Sequence, residues 1–481
     1  MRRCVSWIAA LAVALGAGCD GGPRPDADER EGPAPPMRAG SGLNVLLITI
    51  DTLRADHMSL YRYPRETTPH IDALAESGIT FDRAYTYWPK TRGSFVAMMT
   101  GRLAAQSGYG KTHPLLLDFN PTLAGILREV GYETVAVVDN PNVAASLGYA
   151  KGFDRYRETW EEETLVSEMD RARAITSDGV RFLREASPER PFLLWLHYVN
   201  PHAPYTPPPP FDTAFLDEEA QRGPALEPVE GFGGGVARAW EVPGRGLGYY
   251  IAQYDGEIAV TDAEVGQVLE ALESSEVGER TIVILTSDHG ESLGEHDYFF
   301  DHGQNLYDPS MRIPLVMAGP GLSGRERSDM LATTLDLVPT VLDAVKVSFP
   351  PGLAGRSLLG AGEGGAGPDR PRLFGQNDRN LLGSWDDRFK IVATPREDGT
   401  DYALFDREKD PGETRDVGPR MPGALRAHRE ELEAFRQTID SQRAKTRRLL
   451  EGRSGEERLS PEACEKLKAM GYIQQACPQH H

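Results

Sequence analysis

"NVLLITI" at residues 44–50, closed by Asp51, is the stretch on which the fold turns. A short apolar, β-branched run without alternation is what a strand needs when both of its faces are covered. Two further runs have the same form. "PFLLWLHYV" (191–199) leads into Asn200-Pro201-His202, and "TIVILTS" (281–287) leads into Asp288-His289-Gly290. In an open parallel sheet ligands bind beyond the carboxyl ends of the strands, so strands ending in Asp, His and Asp-His point to one shared rim.

Helical patterns lie between the runs. "TPHIDALAESG" (68–78) carries an N-cap candidate, an apolar stripe and a closing glycine, and "PTLAGILREVGYETVAVV" (121–138) reads as helix, turn and buried strand. In "YDGEIAVTDAEVGQVLEALE" (254–273), Ile258, Val265, Val268, Leu269 and Leu272 share one helical face. This alternation predicts a doubly wound α/β domain with a mostly parallel sheet, over residues 43–365. "RLFGQNDRN" (372–380), "RFKIVATP" (388–395) and "DYALFDREKD" (401–410) predict short strands of a small antiparallel α+β subdomain over 366–440, followed by a helical tail over 441–481.

Composition narrows the class. Across 481 residues, 40% are hydrophobic and 26% charged, which is ordinary globular usage. Lys plus Arg number 52 against 72 for Asp plus Glu, a formal charge of −20 that argues against a nucleic-acid partner. Arg2 and Arg3 before "CVSWIAALAVALGAG" read as an export signal over 1–19, with Cys19 placed as in a bacterial lipobox; a plain secretory signal is the alternative. Residues 20–42, rich in Pro, Gly and charge, read as a tether. The expected location is therefore the periplasm or cell envelope, with membrane contact only through lipid at Cys19. Cys464 and Cys477 could pair in such a compartment.

Asp51, Asp288 and His289 combine two oxygen donors with an imidazole, a set suited to one divalent cation. Mn²⁺ and Ca²⁺ are the expected ions, with Mg²⁺ and Zn²⁺ also compatible. Helix capping is the plainer use of each Asp, but two at separate strand ends, one followed by His, favour a metal.

The chain resembles the sulfatase family of the alkaline phosphatase superfamily. "NVLLITIDTLRAD", "TTPHIDALAESGITFDRAY", "MMTGR", "HYVNPHAPY", "TSDHGESLGEH", "LYDPSMRIPLVMAGPG" and "LFDREKDPGETRDV" follow the family's motifs in family order from about 44 to 416. The resemblance implies a metal-dependent hydrolase of anionic sulfuric or phosphoric esters, and the family's spacing places the nucleophile at Thr91, as a fourth group on the metal. Family sulfatases carry Cys or Ser there, matured to formylglycine; no formylglycine is expected from Thr91, whose plainer role is to cap the helix that follows. A Thr nucleophile tilts the chemistry toward phosphorus, because a sulfo-threonine has no aldehyde hydrate through which to collapse.

The resemblance also assigns His202 and His302 to the substrate's oxygens and leaving group, and Arg54 to ligand or to a bracing role. Glu291 is expected to cap a helix after the metal pair, and His197 and His296 to be structural. Several positions depart from the family. Gly93, Ser94 and Phe95 stand where Pro-Ser-Arg is usual, and Thr52 replaces the second Asp of a pair. Asp139-Asn140-Pro141 replaces the Lys-Trp-His anion clamp, and Lys111 and His113 in "GYGKTHP" are read as surface residues. Fewer cations make a monoanionic diester an easier ligand than a dianion. Two alternatives stand beside hydrolysis: a non-catalytic surface lipoprotein that binds an anionic glycan, and a transferase of phospho-headgroups.

Overall fold

The computed structural model describes residues 41–110, 114–218, 220–229, 235–322, 326–359 and 370–451. The export signal, Cys19, the tether, Lys111, His113, Cys464 and Cys477 lie outside these residues. We number the main strands β1 Asn44–Ile50, β2 Gly78–Phe81, β3 Glu133–Val138, β4 Arg155–Glu158, β5 Phe192–Tyr198, β6 Thr281–Ser287, β7 Leu315–Ala318 and β8 Glu326–Ser328. They form one sheet in the order β8-β2-β7-β6-β1-β5-β3-β4, with β7 antiparallel to β2 and β6 and the other pairings parallel.

The unbroken apolar run of β1 follows from its central place. Val45 and Leu47 pack into the core on one side of the sheet, and Leu46, Ile48 and Ile50 into the core on the other. Every residue of β1 is buried, so neither face tolerates the polar alternation of a half-exposed strand. Helices α1 Pro69–Ala75, α2 Thr91–Thr100, α3 Leu123–Glu129, α4 Glu168–Glu185, α5 Leu247–Glu273 and α6 Leu337–Ala344 accompany the sheet. Ile258, Val265, Val268 and Leu272 of α5 are buried and Leu269 is half-buried, as the stripe requires.

The N-terminus of α1 is satisfied from a distance. Thr68 makes no side-chain cap; instead the Asp262 carboxylate of α5 accepts from the backbone N–H of His70 and Ile71, at 3.0 and 2.9 Å. This answers the orphan donors of the first turn and fixes α1 against α5.

The second sheet is antiparallel, β9 Leu373–Gln376, β10 Leu382–Trp385, β11 Phe389–Arg396 and β12 Gly399–Asp406, and α7 Pro422–Glu451 packs on it. The expected boundary at 440 falls within α7, which runs through it because Leu432, Ile439 and Thr446 continue one buried stripe. A buried charge cluster ties this sheet to the main domain. Lys390 of β11 is fully buried, with Nζ 2.8 Å from Asp308 Oδ1 and 2.8 Å from Glu413 Oε1, and Arg407 donates to Asp308 Oδ2 at 2.8 Å. Among the described residues no helix is long and apolar enough to cross a membrane.

Candidate active site

Register brings the strand ends together. Ile50 lies opposite both Tyr198 and Ser287, so Asp51 and Asp288 leave β1 and β6 at the same height. Asp51, Asp288 and His289 are fully buried, and each offers a ligand atom within 4.8 Å of the others. Asp51 Oδ1 and Asp288 Oδ2 have no hydrogen-bond partner. His289 Nδ1 donates to the Gly290 carbonyl at 3.0 Å, which fixes the hydrogen there and leaves Nε2 as a lone pair. That nitrogen lies 3.2 Å from Asp288 Oδ2 and 3.8 Å from Asp51 Oδ1.

Two orphaned carboxylate oxygens and an imidazole lone pair in one buried space make an acceptor-only cluster, and a cation fits it. Burial holds the Asp51 carboxyl well above the usual carboxylate range, helped by the Asp288 charge, and pushes Asp288 up to about 7. Burial also holds the His289 imidazole well below its ordinary value.

The surrounding backbone is shaped to this cluster. Gly290 is required by close approach, since a Cβ there would lie 2.0 Å from the Pro309 carbonyl oxygen. Asp288 Oδ1 accepts from the backbone N–H of His289 at 2.9 Å and of Thr52 at 3.3 Å. Thr52, where the family has a second Asp, has a positive φ of 55° and turns its backbone rather than a carboxylate to the site.

Thr91 opens α2, and its Oγ1 lies 3.2 Å from His289 Nε2, where the hydroxyl donates to the lone pair. The capping role is corrected: Lys90 holds the N-cap position and Thr91 is the first helical residue. The departures after Thr91 have packing reasons. A Cβ on Gly93 would come within 2.4 Å of the Trp88 ring, Ser94 Oγ donates to the Asp288 carbonyl at 2.7 Å, and Phe95 fills a pocket against Trp195 and His197. Ser94 therefore ties α2, which opens at Thr91, to the strand end that carries Asp288 and His289.

His202 and His302 come together across the mouth, with ring centroids 5.3 Å apart, and His302 lies 4.1 Å from the His289 ring. His302 Nδ1 pairs with the fully buried Glu291 Oε1 at 3.0 Å. Burial is the largest influence on His302 and lowers it, but the charge and hydrogen bond of Glu291 together with the Asp301 charge outweigh it, and the net direction is upward. His202 donates Nδ1–H to its neighbouring Ala203 carbonyl at 2.7 Å, and burial followed by the His302 charge lowers it. The loop bearing His202 is tied at both ends to Glu257 of α5, which accepts from Asn200 Nδ2 at 2.7 Å and from the Thr206 N–H at 2.9 Å.

Arg54 takes the second of its two expected roles, the capping role of Glu291 is corrected, and Asn140 gains a role beside the absent clamp. Arg54 does not face a ligand: its guanidinium bonds both oxygens of Asp56, Glu295 Oε1 at 2.7 Å and the Glu291 carbonyl at 3.0 Å, so it braces the segment that carries Glu291. Glu291 caps no helix; a two-residue strand, Ser292–Leu293, follows it, and the carboxylate serves His302. Asn140, read only as a missing clamp, donates Nδ2–H to Asp51 Oδ2 and so orients that carboxylate. The strand-end rule applied to β3 would have found it. His197 stands behind Asp51, with Nδ1 at the Thr49 hydroxyl (3.0 Å) and Nε2 3.8 Å from Asp51 Oδ2, while His296 stacks on Tyr307 at 3.6 Å.

The strand ends thus bring a metal-type pocket and a hydroxyl together at the rim of a mostly parallel sheet. The comparisons narrow the class: the sulfatase profile matches residues 43–347, and that of the C-terminal part of N-sulphoglucosamine sulphohydrolase matches 294–435. The chain belongs to the sulfatase family. It is 25% identical over 445 residues to the delta 4,5-hexuronate-2-O-sulfatase of Bacteroides thetaiotaomicron, covering 82% of this chain and 88% of that protein. It is also 25% identical to an arylsulfatase of Clostridium perfringens, covering 77% and 89%. Among solved structures, the phosphonate monoester hydrolase of Agrobacterium radiobacter superposes with a TM-score of 0.69 at 21% identity, covering 82% of this chain and 96% of that one.

Proposed function

We propose that the protein hydrolyses a monoanionic ester through Thr91, with phosphodiesters or phosphonate monoesters favoured over sulfate esters. The observation that carries this reading is Thr91 Oγ1 at 3.2 Å from His289 Nε2, beside two carboxylate oxygens without partners. Asp51, Asp288, His289 and Thr91 would hold one divalent ion, Mn²⁺ or Ca²⁺ by preference; when bound it supplies positive charge against the oxyanion that develops in the transition state.

The chain's own groups do the rest. Because Thr91 opens α2, the developing anion would form at a helix N-terminus, which favours negative charge. Thr91 Oγ1 forms the new bond to phosphorus or sulfur as its proton passes to water and the bond to the leaving alcohol breaks. His302, protonated against Glu291, gives the alcohol its proton, with His202 beside it at the same oxygens. Water then cleaves the threonyl ester while the histidine takes a proton back.

Phosphorus is favoured because a phospho-threonine opens to water by ordinary displacement. The likeness to the phosphonate monoester hydrolase supports the fold for this use, and family membership supports sulfate equally. Export with a lipid on Cys19 belongs to the same proposal and suits a substrate met in the envelope. The test is a panel of chromogenic sulfate, phosphate monoester, phosphodiester and phosphonate substrates with Mn²⁺-loaded protein, followed by mass spectrometry of the Thr91 peptide from quenched turnover. Turnover of a diester or phosphonate with a phosphorylated Thr91 peptide is expected; turnover of none, or a modified residue other than Thr91, rejects the reading.

A further inference from the structure

One divalent ion and a protonated His302 balance the three fully buried carboxylates Asp51, Asp288 and Glu291 and leave no positive charge over for a ligand. An anionic ester entering this pocket needs a further cation, and the arginine that sequence reading offered is unavailable, because Arg54 is held by Asp56 and Glu295. The family's clamp position holds Asn140, which is neutral and turned to Asp51.

Lys90 meets the need. It is exposed and immediately precedes Thr91, and its side chain makes no hydrogen bond or ion pair among the described residues. Its stem lies along the turn after His302: a Cβ built on Gly303, which has a φ of +85°, would be 3.2 Å from Lys90 Cδ and 3.5 Å from Lys90 Cβ. Glycine at 303 thus leaves room for the lysine stem against the turn that follows His302.

We propose that Lys90 is a specificity-determining residue that receives a charged oxygen of the ester, and that this single mobile cation in place of a clamp selects monoanionic esters over dianionic ones. The inference rests on the proposed site but not on turnover. It is tested by binding to the Mn²⁺-loaded Thr91→Ala protein, which separates recognition from chemistry. By calorimetry, p-nitrophenyl sulfate and bis(p-nitrophenyl) phosphate supply the monoanions and p-nitrophenyl phosphate at pH 8 the dianion.

Both monoanions are expected to bind more tightly than the dianion. Adding Lys90→Met should weaken the monoanions by about fivefold or more, whereas Lys90→Arg should hold them within about twofold. Lys346→Met, a surface change beside Asp343, should leave binding unaltered. Unchanged affinity in Lys90→Met overturns the proposal, as do tighter binding of the dianion and failure of the parent Thr91→Ala protein to bind any of the three. Undiminished turnover in Thr91→Ala would instead reject the nucleophile and leave the role of Lys90 standing on the binding data.

Discussion

Asn140 Nδ2 donates to Asp51 Oδ2, so the carboxylate that closes β1 is aimed by the residue that follows β3. One oxygen is thereby occupied and the other, Oδ1, is left facing Asp288 and His289.

Loss of that aim should show in metal affinity before it shows in the fold. Asn140→Ala is expected to weaken Mn²⁺ binding about 10- to 100-fold while the thermal transition of the metal-free protein stays nearly unchanged. Equilibrium dialysis with Mn²⁺ measures it. Affinity equal to the parent would mean that Asp51 is oriented by its backbone alone.

Thr91→Ala should reduce turnover by at least about 1,000-fold, because no other hydroxyl touches His289 Nε2 among the described residues. Circular dichroism of the variant should match the parent. Thr91→Ser keeps the oxygen and should retain measurable turnover; an inactive Ser variant beside an active Ala variant would contradict the assignment.

The buried cluster between the two sheets predicts a large mutational effect. Lys390→Met leaves Glu413 and Asp308 facing each other with one cation fewer and should destabilise the protein by about 3–5 kcal/mol. Replacing Glu413 by Gln in the same chain should return part of that loss, and denaturant unfolding of the two variants decides the point.

Glu257 gives a pH dependence with a definite sign. Burial pushes its carboxyl up to about 7, against the lowering effect of its bonds to Asn200 and Thr206. An unfolded glutamate titrates near 4.3, so between these values the native state holds a proton that the unfolded state has lost. The contribution is fully present below about pH 4.3 and falls as pH rises, by about 1.4 kcal/mol per unit, until it is lost near the native value. Glu257→Gln should flatten the stability profile across this window, read by urea midpoints at intervals of pH. A slope unchanged in the variant would assign the titration elsewhere.

The parts of this molecule that could be read from sequence are those set by burial. β1, β5 and β6 are covered on both faces and advertise it as unbroken apolar runs, and the strand-end rule then brings Asp51, Asp288 and His289 together. What could not be read are contacts between polar groups far apart in the chain. Arg54 sits in a family motif, but only the packed structure shows Glu295 taking its charge. Asp262 caps a helix from a distance, and Glu291 turns to His302 because no helix starts where one was expected. Gly93 looks like a broken motif until the Trp88 ring is seen against it.

Asn377, which follows β9, donates its side-chain N–H to the Gly303 carbonyl at 3.2 Å, and thereby supports the turn that carries His302. A chain leaving the ribosome therefore has Asp51, Asp288 and His289 in place by residue 289 but lacks the prop for the His302 turn until residue 377 has emerged. Premature termination in between would yield a polypeptide carrying every chelating group and no steady mouth, so competence is withheld until the second sheet arrives.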